Sequence, residues 1–261
     1  MLDTLTTPTA RGDGFVLEVP TGWRQGRGLF GGFSIAACIR AIEAQVADPA
    51  RRVRSVSAAL PGPIDAGTAD ISVDVLRAGN SMTTARAALS QGGTVKTHLV
   101  AILSATRKSA GDAWQHHTRP AAPAWSDVAA LPWNAMFPEF AQHFEYRVVD
   151  GIPTSGAAPL AIGYVRPRDA GVARDAAFIA AMCDVWWPAA LVAFRAMRPC
   201  ATVAYTLDIV GTLDGLDPDA PLLYRGTVPV LNDGYFLETR ELWGSDGRLI
   251  AVNQQTFAIL A

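Results

Sequence analysis

FGGFSIAACIRAIEAQV (30–46) sets Ile35, Cys38, Ile39, Ile42 and Val46 three and four residues apart, with Arg40 and Glu43 on the other side. That spacing is the signature of a helix with one apolar face, and Asp48-Pro49 marks its expected end. Four strand-like runs follow. The second, 69–76, alternates Ile71, Val73 and Val75 on one face with Asp70, Ser72 and Asp74 on the other. Gly79-Asn80 and Gly92-Gly93 separate the last three runs as hairpin turns. The expected layout of residues 1–106 is therefore one helix followed by an antiparallel meander.

Residues 107–138 interrupt this pattern with Ala, Pro and polar residues, and read as a linker over the surface. The pair His116-His117 within it reads as ordinary exposed linker rather than a metal site. The order then recurs. A strand-like FEYRVVDG (144–151) precedes an apolar helix over roughly 173–197, and four more strand-like runs close the chain, with turns at Asn232-Asp233-Gly234 and Asp246-Gly247. Asn80 to Gly93 spans thirteen positions, as does Gly234 to Gly247, so an offset of 154 superposes both pairs of turns and lays Phe30 on Asp184. The first strand after each helix does not keep that offset. This is a duplication of layout rather than of residue identity. A sheet with a single apolar face can bury it by wrapping around a helix. The expectation is an α+β double hotdog: two tandem units, 1–106 and 139–261, each a long helix wrapped by an antiparallel sheet, joined by linker 107–138.

Composition narrows the function. Half of the 261 residues are hydrophobic and 18% are charged, enough for a packed core. Lys+Arg 22 against Asp+Glu 24 leaves a net charge of −2, with no basic excess to attract nucleic acid. Cys38, Cys183 and Cys200 are odd in number and widely spaced, which argues against a disulfide framework or a metal site. The opening MLDTLTTPTARGDG has neither the basic start nor the apolar core of a secretory signal. AAFIAAMCDVWWPAALVAF (176–194) is broken by Asp184 and Pro188, and neither apolar part is long enough to span a bilayer. A cytoplasmic protein without a membrane segment is expected, and association into a homo-oligomer is left open.

GRGLFG (26–31) matches G-x-G-x-x-G, but no second parallel strand with an acid at its end follows, so a dinucleotide site is not expected. The amides at Gly31 and Gly32 still open a helix, where unpaired N–H groups can face an anion or oxyanion. No G-x-S-x-G elbow, Walker loop or H-E-x-x-H is present. Asp184 is the most informative residue. It lies between Ile179, Ala180 and Met182 on one side and Val185, Trp186 and Trp187 on the other, where a carboxylate is costly unless paired. Pro188 removes the helical partner of the Asp184 carbonyl, so a kink is expected there. A bland alternative is that Asp184 caps a second helical segment. Gln255 falls with Leu249, Ala251, Asn253, Phe257 and Ile259 on the more apolar face of RLIAVNQQTFAI (248–259). There its amide needs partners, and a structural bond to backbone is as good a reading as a catalytic one. Thr206, in TVAYTLDIV (202–210), shares a face with Thr202, Ala204 and Asp208 and is unremarkable alone.

GRGLFGG (26–32), CDVWWPAAL (183–191), YTLDIV (205–210) and GRLIAVNQQ (247–255), in this order, resemble the acyl-CoA thioesterase II family over nearly the whole chain apart from the linker. The region 150–172 does not match. Members of that family are double-hotdog thioesterases in which an aspartate, a threonine or serine, and a glutamine hold the attacking water. The resemblance implies those roles for Asp184, Thr206 and Gln255, with Gln254 the neighbouring rival to Gln255. It implies an acyl-CoA substrate and no metal or organic cofactor, with Gly31 or Gly32 near the oxyanion. Two other readings stand beside it. One is a hotdog hydratase or dehydratase with an Asp/His pair, for which only His98 lies in a strand-like run. The other is a non-catalytic acyl-CoA or lipid binder, which has no reason to keep Asp184.

Overall fold

The computed structural model describes residues 1–107, 112–169 and 171–260. A short helix α1 (Leu2–Leu5) leads into strands β1 (Thr9–Arg11) and β2 (Gly14–Val19), and then into a small hairpin of β3 (Arg24–Gln25) and β4 (Gly28–Leu29). GRGLFG thus forms a hairpin and not a dinucleotide loop. Helix α2 (Gly31–Val46) follows, then β5 (Arg52–Ala59), β6 (Gly67–Ala78), β7 (Met82–Gln91) and β8 (Thr94–Ser104). After the intervening segment come β9 (Phe144–Asp150), β10 (Leu160–Pro167), helices α3 (Ala176–Asp184) and α4 (Ala190–Ala193), and β11 (Cys200–Ile209). The chain closes with β12 (Leu222–Asn232), β13 (Tyr235–Trp243) and β14 (Leu249–Ile259).

Twelve of the strands form one antiparallel sheet in the order β1-β2-β6-β7-β8-β5-β11-β14-β13-β12-β10-β9. Read from either end, the connectivity is the same: the strand preceding the helix lies outermost but one, the meander follows, and the strand after the helix lies at the centre. The halves join where β5 pairs with β11, from Ala59↔Ala204 to Ser55↔Asp208. Both central helices lie against the inner face, α2 on β5 to β8 and α3 on β5, β13 and β14, and they pack on each other.

The segments between β2 and β5 (20–51) and between β10 and β11 (168–199) are of equal length, so the helix-bearing regions correspond at an offset of 148. The meander strands β6 and β12 begin at an offset of 155. The difference arises because β11 is two residues longer than β5 and the loop 210–221 is five residues longer than 60–66. The offset of 154 therefore holds for the turns only. Phe30 precedes α2 while Asp184 ends α3, and the two are not equivalents.

The second helix is also not one long element. Pro188 has no N–H to give Asp184, and its ring would crowd that carbonyl; the chain leaves the helix at Val185 and resumes for one turn at Ala190. Side chains bond the carbonyls before and around this break. Ala180 accepts from Tyr205 Oη at 2.9 Å, Cys183 from Arg240 Nη1 at 2.9 Å, and Val185 from Tyr146 Oη at 3.0 Å. Gly163 in β10 faces this bend, and a Cβ there would stand 2.4 Å from Trp186 Cη2.

Helices α2 and α3 run antiparallel. Arg40 of α2 bonds Asp175, the residue that caps α3 by accepting from the Phe178 amide at 2.8 Å. At the other end the backbones touch: a Cβ on Gly32 would lie 3.0 Å from both Cα and O of Ala181. Along 112–138 a single 3-10 turn (Trp125–Asp127) forms, and this strap is bonded across the outer face of the C-terminal half. Arg147 donates to the carbonyls of Trp125 and Val128 and stacks over the Trp125 ring at 4.1 Å. His117 meets Glu241 at 3.1 Å. Among the described residues no cluster of His, Cys, Asp or Glu could hold a metal ion, and no helix is long and apolar enough to cross a membrane.

Candidate active site

The close approach at Gly32 determines the site. It brings the start of α2 to the end of α3, where the Gly32 amide donates to Asp184 Oδ2 at 2.8 Å. A carboxylate there meets the positive end of the α2 dipole as well as an unpaired amide. Asp184 therefore caps a helix, but it is α2 across the contact and not a segment of its own chain direction. Its Oδ1 accepts from Gln255 Nε2 at 2.9 Å and from Arg240 Nη1 at 3.3 Å. Asp184 is only 4% exposed. Burial pushes its carboxyl upward, while the Arg240 charge and the Gln255 and Gly32 bonds pull it back toward the ionised form.

Gln255 is fully buried on the core face of β14, whereas Gln254 is exposed on the outer face. Its amide nitrogen bonds both Asp184 and Asn253 Oδ1, the latter at 2.9 Å, and its oxygen accepts from Thr202 Oγ1 at 2.9 Å. The opposite orientation would turn the amide oxygen toward two acceptors, so the network fixes which way the side chain points. Asn253 is held in turn, donating to the Thr206 carbonyl at 2.5 Å.

Thr206 itself is not brought to the site. It is exposed on the outer face, with its hydroxyl on the Gln254 carbonyl at 3.3 Å. Thr202, four residues earlier, is the threonine whose hydroxyl bonds Gln255. A bulge explains the exchange: β11 pairs Ala204↔Thr256 and then Thr202↔Phe257, two residues against one. Beyond the extra residue the alternation inverts, so Tyr205, Leu207 and Ile209 face inward on one side of the bulge and Thr202 on the other.

Gly31 and Gly32 also separate. The Gly32 amide, expected to face a substrate oxyanion, is taken by Asp184. Gly31 is partly exposed, and a Cβ on it would meet Asp184 Oδ2 at 3.0 Å and Leu60 methyls at 3.7 and 3.9 Å. Its missing side chain leaves the carboxylate approachable past Leu60.

Sequence reading missed two charges. In β13, Glu238 and Arg240 share the inward row with Phe236 and Leu242, and both are buried. The signal was present in FLETREL (236–242): two charged residues on the parity whose other members are apolar. The matching inward rows of β7 and β8 carry no charge: Thr83, Ala85, Ala87 and Leu89, and Thr97, Leu99, Ala101 and Leu103. The N-terminal half places a neutral pair there, Thr97 of β8 donating to Ser34 Oγ at 2.9 Å in the first turn of α2, where the C-terminal half has charges. None of the four histidines hydrogen-bonds Asp184, whose partners are Gly32, Gln255 and Arg240. The cysteines are unpaired, and burial pushes Cys38 up to about 12 and Cys200 to about 11, away from nucleophile chemistry.

Comparison with solved structures defines the fold. The fold matches a hot dog fold protein of unknown function from Alicyclobacillus acidocaldarius with a TM-score of 0.88 at 22% identity, covering 100% of this chain and 98% of that one. It matches a putative thioesterase II from Thermobifida fusca at 0.85 and 23%, covering 100% and 97%. An acyl-CoA thioesterase II from Mycobacterium marinum matches at 0.79 and 19%, covering 100% and 98%. The chain has a hotdog fold. No match was found among curated proteins. Residues 19–107 match the acyl-CoA thioesterase N-terminal domain and residues 108–259 the acyl-CoA thioesterase C-terminal domain. The chain therefore belongs to the acyl-CoA thioesterase family, a class of thioester hydrolases.

Proposed function

We propose that the chain is a double hotdog of two tandem units, 1–106 and 139–261 joined by 107–138, that hydrolyses acyl-CoA thioesters with Asp184 as general base. A thiolate leaves readily, so the reaction needs a positioned water, a base and donors for the oxyanion. Water attacks the thioester carbonyl carbon and gives a proton to Asp184. The tetrahedral intermediate then collapses, the C–S bond breaks, and the CoA thiolate takes up the proton, leaving free acid and CoA. Thr202 donates to Gln255, so its remaining lone pairs face the water. Gln255 orients both Thr202 and Asp184 and does not itself reach the water, because both its amide hydrogens are engaged. Gly31, at the open side of the carboxylate, is the candidate oxyanion donor.

The single observation that carries this reading is the buried carboxylate at the end of α3, held by three donors and beside the side-chain-free Gly31. A passive acyl-CoA binder gains nothing from it, and no histidine stands beside it to complete a hydratase pair. The test is a hydrolysis screen over acyl-CoA chain lengths, reading release of free thiol. Turnover of at least one chain length is expected, and binding without thiol release across the series would overturn the proposal.

A further inference from the structure

We propose that Arg240, braced by Glu238, is a positioning residue for this reaction that holds Asp184 as a carboxylate and so sets the lower pH limit of turnover. The inference rests on the reading of Asp184 as the base.

Burying a guanidinium between two carboxylates is expensive, and apolar replacement is commonly neutral or better for stability. The corresponding inward row of β7 shows the apolar solution, with Ala85, Ala87 and Leu89. The charged solution occurs beside Asp184. Arg240 Nε bonds Glu238 Oε1 at 2.8 Å, while Nη1 bonds the Cys183 carbonyl at 2.9 Å and Asp184 Oδ1 at 3.3 Å. Glu238 is pinned by the Tyr224 hydroxyl at 3.0 Å and the Ala189 amide at 2.8 Å, just beyond the helix break. One cation therefore serves two buried carboxylates, and its shorter bond goes to Glu238. Asp184 keeps the longer bond, at 3.3 Å against 2.8 Å.

The groups facing Asp184 from the elements packed on it are few. Helix α2 offers only the Gly32 amide. Strands β9 and β11 bring Tyr146 and Tyr205, α3 brings Cys183, and Tyr224 of β12 faces Glu238 and Arg240. Burial drives all four upward, so they stay neutral. Arg240 from β13 is the charge that acts on it, and Glu238 shares that cation. Each carboxylate accepts three hydrogen bonds from donors.

The test is the pH profile of kcat/KM for acyl-CoA hydrolysis in the wild type, Glu238→Gln and Arg240→Lys, with thermal melts on the same preparations. Glu238→Gln gives Asp184 an undivided guanidinium, and the acidic limb should move down by about one pH unit. Arg240→Lys cannot fork between two partners, and the limb should move up by about one unit. Shifts of opposite sign are not produced by structural damage, which lowers the rate at every pH. Should one variant not fold, the other alone decides. An unmoved limb in a folded variant overturns the proposal. The same shifts are readable without turnover from the infrared carbonyl band of protonated Asp184, assigned by its loss in Asp184→Asn. Band shifts in a chain that hydrolyses no thioester would sink the function and leave the charge control standing; hydrolysis with no shift would do the reverse.

Discussion

Replacing Thr202 with valine separates the geometry of this site from the alternation of its sequence. The substitution is close to isosteric and keeps a good strand former, but removes the one donor to Gln255 Oε1 among the described residues, a bond of 2.9 Å. Leaving that buried oxygen unsatisfied costs about 1–3 kcal/mol. For a chain of this size each kcal/mol lowers Tm by about 2–4 °C, so the melt should fall by several degrees. The rate should fall further than stability explains. Thr202 both points Gln255 and offers lone pairs to the attacking water, and losing it should reduce kcat/KM by about 10–100-fold, or about 1.4–2.7 kcal/mol of barrier. Thr206→Val is the control. That hydroxyl is exposed, on a carbonyl of the outer face, and its loss should stay within about 0.5 kcal/mol with turnover unchanged. The assay is free-thiol release from an acyl-CoA, with a thermal melt of each variant. Wild-type turnover in Thr202→Val, or an equal loss in Thr206→Val, would refute the reasoning.

The two glycines at the start of α2 should fail in different ways. Gly32→Ala drives a methyl to 3.0 Å from the Ala181 backbone, which should cost about 1–3 kcal/mol in a melt; an unchanged Tm would count against the tight helix contact. Gly31→Ala meets only the Asp184 oxygen and Leu60 methyls, so it should fold normally yet lose about ten-fold or more in rate, since small displacements at a reacting centre are costly. Glu43 offers a pH test of the fold. Burial raises its carboxyl to about 7, helped by Asp175 and opposed by Arg40. The folded state then holds this proton more tightly than the unfolded state, so stability declines as pH rises from about 4.5 to about 7. Glu43→Gln should therefore raise stability at pH 8 by about 1–3 kcal/mol and have little effect near pH 4, as read from melts at both values; equal effects would refute the shift.

Much of the fold was legible because local chemistry and tertiary structure agree there. The helix at 31–46, the clean alternation around Ile71 and the glycine turns all follow from periodicity that packing leaves undisturbed. Asp184 and Gln255 stood out as polar groups in apolar surroundings, and each is buried. What could not be read depends on contacts made across the chain. Counting parity along β11 puts Thr202 and Thr206 on one face, and nothing local to TVAYTLDIV announces the bulge that separates them. β10 escaped notice because Gly163 interrupts LAIGYVRP (160–167); that glycine serves the Trp186 ring, which arrives from a segment 23 residues later. The break after Asp184 follows from Pro188, but the groups that bond the Cys183 and Val185 carbonyls there, Arg240 and Tyr146, come from distant strands.

The base is tested most directly by Asp184→Asn, measured for thermal stability and initial acyl-CoA hydrolysis on one preparation. Asparagine can keep an oxygen toward Gln255 and Arg240, though its amide then faces the Gly32 N–H. The charge-assisted bond to that amide is worth about 1.5–3 kcal/mol, a loss offset in part because a carboxylate no longer has to be buried. The protein should fold with a modestly lowered Tm, while hydrolysis should fall by about 10²–10⁴-fold, the usual contribution of a positioned base. Turnover near the wild-type rate in a folded Asp184→Asn variant would contradict the account and leave Asp184 as the cap of α2 alone.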